Sequence, residues 1–111
     1  MRKLLIALLI AAVPGVLAAQ ALAASRSVKI GDDYFVRKGS TPTVTVRKGT
    51  RVTWRWTGKD LHNLAVTRGP AKFRSSYKTS GSYSRTVRRA GTYTIVCTVH
   101  SGMKMKLRVT G

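Results

Sequence analysis

This chain is almost without negative charge. Its 111 residues include three carboxylates, Asp32, Asp33 and Asp60, and no glutamate, against 21 lysines and arginines, giving a formal charge of +18. Acid–base catalysis needs a base positioned beside the reacting group. Three aspartates and two histidines, with no nucleophile motif, serve hydrolytic chemistry poorly; Asp60 lies close to His62 in sequence but reads as a turn residue. The single cysteine, Cys97, excludes an intramolecular disulfide. No repeat, low-complexity tract, second domain or amphipathic helical period is present, so burial of strand faces must stabilise the fold.

The one long apolar run is at the N-terminus. Met1-Arg2-Lys3 before Leu4 to Val13 reads as the charged and apolar regions of an export signal, with Ala21-Leu22-Ala23 as a small-x-small cleavage site. The predicted organisation is a signal peptide over residues 1–23 and one domain over residues 24–111. A retained anchor is the rival, because Leu4 to Ala24 is nearly long enough to span a bilayer. Pro14, Gly15 and Gln20 argue against it. There is no twin arginine and no cysteine near the cleavage point for lipid attachment, so export by the general route, to the periplasm or beyond, is expected.

Period-two alternation dominates the rest. Val44 and Val46 share one face, as do Val52, Trp54 and Trp56, then Leu64 and Val66, Tyr83 and Val87, and Tyr93, Ile95, Cys97 and Val99; Met105, Leu107 and Val109 close the chain. Turn signals separate these runs at Lys48-Gly49, Gly58-Lys59-Asp60, Arg68-Gly69-Pro70, Ser80-Gly81 and Ala90-Gly91. The pattern predicts an all-β chain: a single-domain antiparallel Greek-key β-sandwich. Trp54 and Trp56 share the parity of Val52 and are expected in the core, not as a base-stacking platform. Residues 69–80 are polar and poorly patterned, and are expected to form a long loop.

Against this plain background one cluster carries chemistry. Cys97-Thr98-Val99-His100-Ser101-Gly102-Met103 gathers the only cysteine, one of the two histidines and a methionine, and His62-Asn63 supplies the other histidine 35 residues upstream. Singly, each residue has a plainer reading: a small buried hydrophobe, a solvated loop histidine, a core filler. Yet an unpaired thiol in an exported protein needs a reason. A thiolate, two imidazoles and a weak thioether together form the ligand set of a trigonal blue-copper site. Zinc is disfavoured, since there is no second cysteine and thioether suits zinc poorly.

The order and spacing, C-x2-H-x2-M with an upstream H-N pair, closely resemble the cupredoxins, the type 1 blue copper family that includes plastocyanin, pseudoazurin and amicyanin. The resemblance runs from about Val44 to Val109 and includes Val46-Arg47-Lys48-Gly49-Thr50-Arg51-Val52-Thr53-Trp54 and Gly91-Thr92-Tyr93-Thr94-Ile95-Val96-Cys97. It implies one copper per chain, cycling between Cu(I) and Cu(II), with His62, Cys97 and His100 as strong ligands. Met103 is the expected axial ligand, at the short loop spacing. Met105 remains the competitor at the longer spacing, although its parity already explains it as core. By resemblance Asn63 ties the two ligand loops together by hydrogen bonds. Proline often flanks the second histidine in this family; here Val99 and Ser101 stand there, so Val99 is expected to offer an N–H toward the Cys97 sulfur.

The function implied is a small exported electron carrier, not an enzyme, moving one electron at a time between redox proteins. The alternative is a copper protein for delivery or buffering. A third class, a cationic surface-binding protein, predicts that loss of a ligand leaves activity intact. With Arg2 and Lys3 removed with the leader the charge falls from +18 to +16, a long-range field that speaks of partners and not of fold. Acidic redox partner proteins, and an anionic membrane or cell-wall surface, are the expected partners; a monomer is the expected state. Specific nucleic-acid binding is not expected, because no aromatic-basic recognition stretch is present.

Overall fold

The structure, a computed structural model, describes residues 24–111; the leader and its cleavage site lie outside the described residues. Eight strands follow in order: β1 (Ser25–Gly31), β2 (Tyr34–Phe35), β3 (Thr43–Arg47), β4 (Arg51–Trp56), β5 (Ala65–Arg68), β6 (Gly81–Thr86), β7 (Gly91–Val96) and β8 (Lys104–Thr110). Two four-stranded sheets form, ordered β2-β1-β4-β6 and β3-β8-β7-β5. Among the described residues there is no helix, and so none long and apolar enough to cross a membrane.

The sandwich is the expected one, and the alternation sets which side chains fill it. Successive strand residues point to opposite faces, so Val28, Ile30, Val52, Trp54 and Trp56 from one sheet meet Val44, Val46, Tyr93, Ile95, Met105, Leu107 and Val109 from the other. Trp54 sits at the centre with no solvent exposure, its ring 6.0 Å from Phe73 and 6.1 Å from Tyr83. Both tryptophans are core, as their parity predicts.

Three features differ from the sequence expectation. Each sheet contains one parallel pair: β1 with β4, and β3 with β8. Alternation fixes which face a residue occupies, not strand direction; parallel pairing needs a connection that leaves the strand and returns, and here the chain crosses to the other sheet between them. Next, β1 and β2 precede the span in which strands were expected, because Ser25-Arg26-Ser27 has no apolar member and only Val28 and Ile30 alternate. Last, residues 69–80 do form a loop, but a closely tied one. Phe73 enters the core, and the segment runs back along residues 62–66 through isolated bridges His62↔Lys78 and Ala65↔Arg74.

Candidate metal centre

His62 reaches the site on the link between β4 and β5, and that link is braced on three sides. Its backbone exchanges hydrogen bonds with Lys78, His62 N to Lys78 O at 3.0 Å and Lys78 N to His62 O at 2.9 Å. The Trp56 indole donates to His62 O at 3.1 Å. Two residues on, Leu64 N donates to Ser75 Oγ at 3.1 Å while Ser75 N donates to Leu64 O at 2.9 Å. The 69–80 loop therefore stands in for a neighbouring strand and fixes where His62 begins.

The second half of the site follows β7. Cys97 N donates to Met103 O at 3.0 Å and Met103 N to His100 O at 3.2 Å, so the loop closes on itself before β8 starts. Gly102 takes φ +83°, a left-handed conformation open to glycine at little cost, which lets the chain turn there. Met103 is thus held beside Cys97 and His100, buried, on the turn. Met105 is fully buried within β8 opposite Ile95, as its parity predicts.

The two halves converge. His62 Nδ1 lies 3.1 Å from His100 Nδ1, and Cys97 Sγ lies 3.9 Å and 3.5 Å from these two nitrogens. Imidazole nitrogens and a thiolate bound to one tetrahedral ion at zinc-like bond lengths would stand about 3.3 Å (N to N) and about 3.6 Å (N to S) apart. The observed triangle matches that size, so the residues present fit a single metal ion.

Asn63 is buried and bridges the halves: its Oδ1 accepts from Thr98 N at 2.8 Å and from Thr98 Oγ1 at 3.1 Å. The expected Val99 donor is not found. Among the described residues no hydrogen bond runs from Val99 N–H to Cys97 Sγ, whose contacts of that kind are the two Nδ1 atoms. Thr98 N–H is turned instead toward Asn63.

Sequence reasoning missed two residues here. Asp32 Oδ1 lies 3.0 Å from His62 Nε2, and Asp33 Oδ1 lies 3.2 Å from His100 Nε2. They sit between β1 and β2, the part of the chain where no strand was expected. Asp32 also accepts from Lys59 N at 2.8 Å and Asp60 N at 2.9 Å. The Lys59 N–H, then the His62 ring and the Asp60 N–H, hold its carboxyl down to about 2, so it is anionic at neutral pH. Asp60 itself comes close to both imidazoles. All three carboxylates of the chain thus gather at the end of the sandwich that carries the histidines. A signal was available: an Asp-Asp pair in a chain with one other acid is a conspicuous exception to its composition.

A family model described as copper binding proteins, plastocyanin/azurin family, matches residues 26–110. The chain belongs to that family. Its cofactor is a single copper ion, which the thiolate and two imidazoles suit. Amicyanin-alpha of Methylorubrum extorquens is 34% identical over 94 residues, covering 81% of this chain and 76% of that protein. An oxidised single-substitution variant of amicyanin superposes with a TM-score of 0.61 at 28% identity, covering 77% of this cupredoxin and 81% of the variant. A copper-containing nitrite reductase from Thermus scotoductus SA-01 superposes with a TM-score of 0.65 at 22% identity, over 78% of this chain. This cupredoxin spans 22% of that reductase, so the likeness is one of fold alone.

Proposed function

We propose that this cupredoxin is an exported carrier of single electrons between larger redox proteins, not an enzyme. His62 Nδ1, Cys97 Sγ and His100 Nδ1 would hold the copper strongly, with the Met103 thioether as a fourth, weaker donor. The observation that carries the reading is the triangle of three donor atoms pre-set by the fold. When bound, copper supplies reversible one-electron chemistry. The thiolate and thioether favour the reduced ion and the imidazoles accept either state, so a scaffold that holds all four leaves little to rearrange on electron transfer.

His100 is 27% exposed and His62 only 1%, so the outer histidine is the natural port for the electron. The three exposed large apolar side chains of the described residues, Leu61, Tyr77 and Val99, lie on the segments that meet at the centre. Leu61 precedes His62, Val99 precedes His100, and the Tyr77 hydroxyl lies 3.0 Å from Thr98 Oγ1. Exposed apolar side chains on the segments that carry a partly exposed ligand suit brief docking of another redox protein. The partners we infer are acidic. On the outer face of the β3-β8-β7-β5 sheet, Lys106 lies between Thr43 and Thr94 and Arg108 between Thr45 and Thr92, with Lys104 beside Val96. No carboxylate lies on these strands, so the face draws anionic surfaces by long-range attraction that salt weakens. Export rests on the Met1 to Ala23 segment, which has the composition of a removable signal.

The test is direct. Cu(II) added to the purified protein should give an intense blue colour, bleached by one reducing equivalent per copper and restored by an oxidant. A protein that binds copper without colour, or cannot be cycled, is a delivery or buffering protein instead.

A further inference from the structure

We infer that Asp32 is the residue that positions His62, and that Gly58 is glycine so that Asp32 can reach it. The inference rests on the reading of His62 as a copper ligand and adds a residue from outside both ligand segments.

A carboxylate only accepts hydrogen bonds, so at 3.0 Å from Asp32 Oδ1 the His62 Nε2 must be the protonated nitrogen. A neutral imidazole carries one ring proton. Nδ1 is then left with its lone pair, aimed at Cys97 Sγ and His100 Nδ1. Histidines that bind metal through one nitrogen commonly donate the other N–H to a carboxylate, which fixes tautomer and ring orientation and raises ligand basicity. Here the ring is buried and cannot obtain that service from water.

The carboxylate is held as firmly as the ring. Lys59 N donates to Oδ2 and Asp60 N to Oδ1, so both oxygens are engaged by the turn that leads into His62. Asp32 arrives from the distant β1–β2 turn and must pass close to that backbone. A Cβ added at Gly58 would collide with the Asp32 carboxylate. Gly58 does not need its freedom for a left-handed turn, since it is not among the positive-φ glycines. Close approach of the carboxylate is therefore what its missing side chain permits. Asp33 meets His100 less tightly, at 3.2 Å and with both groups partly exposed, so the stronger hold is on the buried histidine.

The experiment uses Asp32→Asn, Gly58→Ala and the double variant, read by nitrogen NMR of the metal-free histidines, copper affinity and reduction potential. Metal-free wild type should show His62 protonated at Nε2. In Asp32→Asn the amide can donate toward Nε2, and the ring proton should move to Nδ1, the nitrogen meant for copper. Copper affinity should fall about 10–100-fold, the range typical for loss of such a partner. The potential should rise, because a less basic imidazole stabilises Cu(II) less. Gly58→Ala, which keeps the carboxylate but displaces it, should also lower copper affinity and raise the potential, and should add little in the Asp32→Asn background. An unchanged tautomer and affinity in folded Asp32→Asn, or fully additive effects of the two substitutions, would overturn the inference. The tautomer measurement needs no copper, so it decides the role of Asp32 even if wild type proves not to form a blue site, the outcome that would sink the functional reading separately.

Discussion

The two histidines reach one point by opposite means. His62 is buried, its carbonyl held by Trp56, its backbone paired with Lys78, and its far nitrogen held by Asp32. His100 stands on a turn closed by two backbone hydrogen bonds, partly exposed, with Asp33 and Asp60 near its ring. One half of the centre is built into the sandwich wall; the other is a short loop hung from the ends of β7 and β8. Position is set on the buried side, and contact with partners on the open side. A chain with this division can keep its ligand geometry while its docking edge meets solvent.

The largest expected effect comes from the atom both histidines face. Cys97→Ser replaces the thiolate, the soft and strongly donating ligand, and should abolish the blue colour completely in the visible spectrum. The difference between the histidines should appear next. His62→Ala should remove copper and also destabilise the metal-free domain by about 1–3 kcal/mol, because it empties a fully buried site. His100→Ala should disturb the metal-free fold by no more than about 0.5 kcal/mol, as partly exposed loop substitutions generally do. Added imidazole should restore colour to the His100 variant far better than to the His62 variant. Equal destabilisation in thermal melts, or equal rescue, would erase the distinction between wall and loop.

Much of this was legible in the sequence. Alternation placed Trp54, Trp56, Tyr93, Ile95 and Leu107 inward, and spacing with family resemblance singled out His62, Cys97 and His100, whose donor atoms the fold brings together. The parallel pairings were hidden, since parity is the same whichever way a strand runs. β1 was hidden because a strand that begins Ser25-Arg26-Ser27 has no apolar alternation to show there. Asp32 was hidden for a related reason: it lies 30 residues from His62, and nothing in either segment records that β1 pairs with β4. Local pattern reveals what a residue's own strand does; it is silent about which distant turn will lie across from it.

Asn63 joins the two halves, so removing it tests whether they are coupled. Its Oδ1 accepts both Thr98 donors while buried. Asn63→Ala removes the acceptor that ties Thr98 N–H and Oγ1 to the wall, at a cost of about 0.5–1.5 kcal/mol, as for a typical net hydrogen bond, and frees the loop against the wall. Denaturant melts of the metal-free protein should show that loss, and copper should bind more weakly. Unchanged melts and affinity would mean that the loop keeps its place through β7 and β8 alone.

The methionine on the loop and the one in β8 should separate. Leucine is close in volume to methionine, so either swap should cost less than about 1.5 kcal/mol in stability. Met103, held by Cys97 N and His100 O on the turn, should also shift spectrum and reduction potential on change to leucine, with copper retained, because an axial thioether bond is long and weak. Met105, opposite Ile95 inside β8, should alter stability alone. A shift in potential from the Met105 change only would exchange the assignments.

The smallest effect is expected at Val99, where the sequence promised more. Proline carries no N–H, and an N–H from Val99 to the Cys97 sulfur would draw charge from the thiolate and favour reduced copper. No such bond forms: the sulfur faces the two Nδ1 atoms, and the Val99 side chain points to solvent. Proline also restricts the residue before it to extended conformations. That residue is Thr98, which Asn63 already holds by two hydrogen bonds. Val99→Pro should therefore move the reduction potential less than Met103→Leu does, and voltammetry of the two variants side by side measures this. A drop in potential from Val99→Pro as large as the Met103 effect would show that the loop supplies a donor to sulfur once copper is bound, and that the open half of the centre reshapes on loading while the buried half does not.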